Sequence, residues 1–101
     1  MTFALKNFRT YELSIQFYKD CKQIKLSHAL KDQLMRAASS ITLNLSEGAA
    51  KPTGKERLRY YSIAYGSLRE IQAIIRLEDI QSLHACADHL GACLYRLSHQ
   101  Q

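Results

Sequence analysis

Between Gln33 and Glu70 the chain reads QLMRAASSITLNLSEGAAKPTGKERLRYYSIAYGSLRE, two helical segments joined at Lys51-Pro52-Thr53-Gly54. In the first segment Leu34, Ala38, Ile41, Leu45 and Ala49 recur every three or four residues, the 3.6-residue period of an amphipathic helix. Pro52 disfavours helical backbone at the residue before it. Thr53, followed three positions later by Glu56, fits a capping box that restarts the helix. The chain has no valine and no alternating apolar run, so nothing in it reads as a strand.

The same period extends both ways. A first helix is expected from about Thr10 to Ile24, with Leu13, Phe17, Cys21 and Ile24 on one face and Tyr11 and Tyr18 flanking it. A break at Lys25–Ser27 follows, with Ser27 as N-cap of the second helix, which also carries Leu30 and ends near Ala50. The third helix runs to about Leu77. The fourth starts near Gln81, with Leu83, Cys86, Ala87, Leu90, Cys93, Leu94 and Leu97 in a heptad-like stripe. Long helices and short connections predict an all-α fold, an antiparallel up-down-up-down four-helix bundle, as one domain over residues 1–101.

Charge is uneven. Residues 1–25 carry +3, 26–50 carry 0, 51–77 carry +4 and 78–101 carry −2, for a net of +5. A basic first and third quarter suits a polyanion or an acidic protein partner. The three cysteines are odd in number and none forms a CxxC pair, which reads as three buried reduced thiols and not a disulfide framework. The opening MTFALKNFRTYE lacks the long apolar core and cleavage site of a signal peptide, and no apolar run approaches the roughly 20 residues that span a bilayer. A cytoplasmic protein with no membrane contact is expected.

On a wheel at 100° per residue, Tyr60, Tyr61, Ile63, Ala64, Tyr65, Leu68, Ile71, Ile74 and Ile75 cover about half of the third helix, more than one bundle face needs. A second copy of the chain, meeting Tyr61, Tyr65, Leu68 and Ile75, accounts for the excess; so does a central, heavily buried helix in a monomer. The remaining arc holds Lys55, Arg59, Ser62, Gly66, Arg69 and Arg76, with Lys51 and Arg57 nearby. Those six basic residues are the candidate nucleic-acid contacts, through neutralisation of phosphates; the alternative is a solvated helix face.

The second helix carries its own polar line, Gln33, Arg36, Ser40, Asn44 and Glu47. A structural seam is expected here, in which Ser40 and Gly48 let a helix approach closely, Asn44 and Glu47 cap or pair with a neighbouring helix, and Arg36 answers Glu47 or Glu70. A ligand site or small enzyme centre is the alternative and requires a concave pocket. Enzyme motifs are otherwise absent: there is no phosphate-cradling glycine loop and no GxSxG. His28, His84, His89 and His99 lack zinc-ligand spacing, so no metal and no cofactor is expected. His84 and Asp88, four apart, read as a surface hydrogen bond. No arginine is followed four to six residues later by histidine, a pattern of some helical-bundle ribonucleases. A non-enzymatic protein is expected.

The strings around Arg36, Ala37, Ser40, Ile41, Asn44, Glu47 and Gly48, and then Lys55, Glu56, Arg59, Ile63, Ala64, Gly66, Ser67 and Glu70, resemble the signature of the 23S rRNA intervening-sequence protein family. Asn7-Phe8-Arg9 and Tyr11 fit that family's opening, where a tryptophan is more usual. The resemblance covers about residues 7–77, and the fourth helix matches only in length and pattern. It implies a bacterial four-helix bundle. It also implies kinship with accessory proteins of diversity-generating retroelements, which form barrel-like pentamers that bind nucleic acid and a reverse transcriptase. A homopentamer that binds nucleic acid, RNA before DNA, is therefore the implied assembly, with a protein partner such as a reverse transcriptase as the other possibility. Tyr65 and Met35 stand where the family often has basic residues, and both departures lower the positive charge.

Overall fold

The computed structural model describes residues 5–100, with side chains from Arg9 onward. The reading of the opening segment as lacking a signal peptide falls partly on residues outside those described, and so do the side chains of Asn7 and Phe8. Helix α1 spans Leu5–Lys22, α2 His28–Ala49, α3 Gly54–Glu78 and α4 His84–Ser98, the last preceded by a 3-10 turn at Gln81–Leu83. The described residues contain no strand. Each helix packs against its two neighbours around the bundle, α1 on α2 and α4, and α3 on α2 and α4. This is the antiparallel four-helix bundle that the short connections dictate. It measures 40 × 22 × 19 Å, and no helix among the described residues is long and apolar enough to cross a membrane.

Local chemistry sets the ends of the helices. Ser27 Oγ accepts from the Leu30 N–H at 3.5 Å, opening α2. Thr53 Oγ1 accepts from the Glu56 N–H at 3.2 Å and donates to Glu56 Oε1 at 3.0 Å, so α3 starts at the predicted Thr53–Glu56 pair, with the carboxylate on the Thr53 hydroxyl and not on its N–H. α3 ends at Asp79, in the left-handed conformation at φ 54°, where the Ile80 N–H reaches back to the Ile75 carbonyl at 3.0 Å. α1 begins earlier than the sequence indicated and ends two residues sooner, at Lys22. Its last carbonyls are gathered by one cation. Lys31 Nζ donates to the carbonyls of Lys22 at 2.9 Å and Cys21 at 3.4 Å, and to that of Ile24, placing positive charge at the negative end of the helix.

The core is apolar, built from Phe17, Cys21, Leu34, Ile41, Leu45, Tyr61, Leu68, Ile71, Leu90 and Leu94 with their neighbours. Two polar residues of α1 are buried beside it, Thr10 at 3% and Ser14 at 1% exposed, and Ser14 shares a 2.8 Å hydrogen bond with the half-buried Thr42 of α2. Gly48 is buried where α2 meets α3, and a Cβ there would lie 2.7 Å from Tyr61 Cε1. The predicted close approach at Gly48 is therefore real.

Two expectations are corrected here. Most of the apolar breadth of α3, Ile63 excepted, is spent inside the protomer: Tyr61 is 2% exposed, Leu68 0% and Ile75 2%. They are covered by α2 and α4 and are not free to meet a second copy; Tyr65, the fourth of that set, is half-buried. The cysteines also differ from expectation, since Cys21 and Cys93 are buried but Cys86 is exposed. Both α4 cysteines sit toward the edge of the buried arc. Cys93 lines a groove with Arg9 and Thr10 of α1, whereas Cys86 lies exposed in the first turn of α4.

Candidate nucleic-acid interface

With one side of α3 committed to the core, the other forms a ridge. Lys55, Arg59, Ser62, Gly66, Arg69 and Arg76 are all exposed along it. At 1.5 Å per residue the line from Lys55 to Arg76 is about 31 Å long. Among the described residues, no carboxylate lies within ion-pairing distance of Lys55, Arg57, Arg59, Arg69 or Arg76. Arg69 Nη1 donates to Gln72 Oε1 at 3.0 Å, which orients the guanidinium without neutralising it.

The six candidate contacts divide into two groups. Lys55, Arg59, Arg69 and Arg76 form the ridge. Lys51 lies in the turn before α3 and Arg57 in the first turn of α3, and both are partly engaged there. Lys51 Nζ lies 3.7 Å from Glu47 and 5.2 Å from the Tyr60 ring centroid, and Arg57 Nη1 donates to the Lys51 carbonyl at 2.9 Å. On the α4 side, Arg69 and Arg76 share a groove of about 350 Å3 with His84 and Asp88. No ion pair joins His84 to Asp88, so that predicted contact is absent.

The polar line on α2 also divides. Its inner part is a seam, where Ser67 Oγ of α3 donates to Ser40 Oγ at 2.9 Å; Asn44 does not reach the neighbouring helix as expected but stays within α2, its Nδ2 donating to the Ser40 carbonyl at 2.8 Å and Oγ at 3.1 Å. The outer part is not. Glu47 turns to Lys51. Arg36 and Glu70 are both exposed and line an open polar groove of about 680 Å3 beside Ser40 and Ser67 without forming the predicted ion pair. They stand on the outer flanks of their helices, where water solvates each charge and little is gained by pairing. The groove takes Gln33, Arg36 and Ser40 from the polar line, and its lining does not include Asn44 or Glu47.

Two features escaped the sequence reading. One is the Lys31 cap. The other is an aromatic group where α3 meets the end of α4: Tyr95 and His99 stack with ring centroids 3.8 Å apart, and Tyr65 meets them edge-on at 5.8 and 6.1 Å. The signal available was the four-residue spacing of Tyr95 and His99, which places them on one helix face.

Burial pushes the Cys21 thiol up to about 12, helped by the neighbouring Asp20 carboxylate and opposed by Lys31. Such a thiol is inert at neutral pH. The described residues hold no group of three or more histidine, cysteine, aspartate or glutamate side chains able to hold a metal ion.

The architecture and the ridge define a small four-helix-bundle module with one cationic helix face. The sequence model of the 23S rRNA-intervening sequence protein family matches residues 6–95, and the chain belongs to that family. The match extends through most of α4, beyond the span over which the motifs are recognisable by eye. No curated protein and no solved structure gives a match.

Proposed function

We propose that this protein is a non-enzymatic accessory module of the cytoplasm that binds nucleic acid through the α3 ridge and assembles with copies of itself. The observation that carries the reading is the ridge: four cations, Lys55, Arg59, Arg69 and Arg76, exposed on one helix face and free of acidic partners among the described residues. A straight row of solvated cations favours a phosphate backbone by counterion release, without base-specific contacts. RNA is preferred over DNA because the family takes its name from intervening sequences of 23S rRNA.

Gly66 supports a close partner. It is exposed in mid-helix, and a Cβ there would meet nothing within 4 Å. The protomer does not need glycine at a position where it costs about 0.5–1 kcal/mol relative to alanine. Self-association rests on Leu43 and Ile63, which are 63% and 51% exposed. The contacts Ser40–Ser67 and Gly48–Tyr61 set a register that brings both to one level of the α2–α3 face. A ring, pentameric as the resemblance implies, repeats the ridge and supplies avidity that one protomer lacks. The same apolar pair favours a second reading, a scaffold that docks another polypeptide such as a reverse transcriptase.

The test is a titration of the wild type and of a Lys55→Ala/Arg59→Ala/Arg69→Ala variant with single-stranded RNA across a range of salt. Four phosphate contacts predict a log–log slope of about −3 for the wild type, and the variant should flatten it by about 2. A folded variant that binds RNA with unchanged slope sinks the assignment. Binding of a protein partner that survives salt at which RNA is released favours the scaffold.

A further inference from the structure

The groove between α3 and α4 joins the ridge to a group of rings. Tyr65, Arg69, Gln72, Asp88, Ala92 and Tyr95 surround a space of about 250 Å3, and His99 stacks on Tyr95. We propose that Tyr95 and His99, braced by Tyr65, form a stacking platform for the bases of a single-stranded nucleic acid whose backbone follows the ridge. This deepens the proposed function and rests on it.

Three observations favour the platform over a simple clasp that holds α4 to α3. First, Tyr95 is 50% exposed and His99 is exposed, whereas a clasp gains most by burying its rings. Second, the stack is pre-organised. His99 Nδ1 lies 2.9 Å from the Tyr95 carbonyl and 3.0 Å from Ser98 Oγ, contacts that hold the plane of the imidazole. Third, the polar wall suits a nucleotide. Arg69 spends one nitrogen on Gln72 and keeps the rest of its fork for a phosphate. Asp88 is the one carboxylate of this wall and offers an acceptor to base amino groups. Exposed rings beside a cationic track are the arrangement with which proteins hold single strands irrespective of sequence. A duplex keeps its bases stacked internally and gains only the ridge.

The experiment compares two single strands of equal length and charge, one bearing bases and one abasic, with the wild type, Tyr95→Leu and Tyr95→Phe, each first checked for its helical melt. The wild type should bind the base-bearing strand about 10-fold more tightly than the abasic strand. Tyr95→Leu should erase that difference and Tyr95→Phe should keep it. Equal affinity of the wild type for both strands overturns the platform and leaves the charge-based reading standing; it is also the result if the rings serve a peptide. Failure to bind either strand at low salt overturns both. The comparison of strands on the wild type decides the matter even if Tyr95→Leu fails to fold.

Discussion

At the scale of single residues, Gly48 and Gly66 show how one amino acid serves two purposes. Gly48 is required by packing, because its missing Cβ makes room for Tyr61, which is 2% exposed and cannot move aside. Gly48→Ala should destabilise the fold by about 1–3 kcal/mol despite the better helix propensity of alanine. Gly66 has open space around it, so Gly66→Ala should stabilise by about 0.5–1 kcal/mol; chemical denaturation of both variants checks the pair. Cys21 gives a second residue-level expectation. Its thiol is raised from 9.0 to about 12 in the fold, so above pH 9 the unfolded chain loses that proton first. The contribution of Cys21 to stability is then fully present below pH 9 and is lost as pH rises toward 12. In the folded protein at pH 8, a thiol reagent should label Cys86 and spare Cys21, as mass spectrometry of the labelled chain would show.

At the scale of elements, what was legible was local. Ser27, Pro52 and the Thr53–Glu56 pair act within one turn of chain, and the structure uses each capping residue as the sequence suggested. Contacts that depend on how helices rotate against each other were not legible. A wheel places Arg36 and Glu70 on a flank, but only the packed pair shows that both point to solvent. It gives the angular width of the α3 apolar arc, but not that α2 and α4 cover Tyr61, Leu68 and Ile75 within one protomer. Lys31 was missed for the same reason, since its partners lie nine and ten residues earlier across a loop. Lys31→Met removes the cation from the end of α1 and should cost about 1–2 kcal/mol, a fall in Tm of roughly 4–16 °C for a chain this size. A melt unchanged within a degree would show that water replaces the amine at no cost.

At the scale of the whole molecule, the bundle sorts its faces. The core takes most of the apolar breadth of α3, the outer ridge keeps Lys55, Arg59, Arg69 and Arg76 in water, and the two flanks differ. The α2 side holds Leu43 and Ile63, and the α4 side holds the aromatic groove. The proposed self-association through the first flank would leave the second open to a strand lying on the ridge. Fold and family were both readable from sequence, because the periodicity spans the chain and the motifs on α2 and α3 are dense. The surface that would join copies was not, because it depends on which apolar residues remain after the protomer has folded. Light scattering with and without RNA, at low and at moderate salt, tests the account most directly. It predicts a mass that is a multiple of the 11.6 kDa chain, rising with RNA at low salt and returning to the protein's own value at moderate salt. A species of 11.6 kDa that is indifferent to RNA at both salts contradicts it.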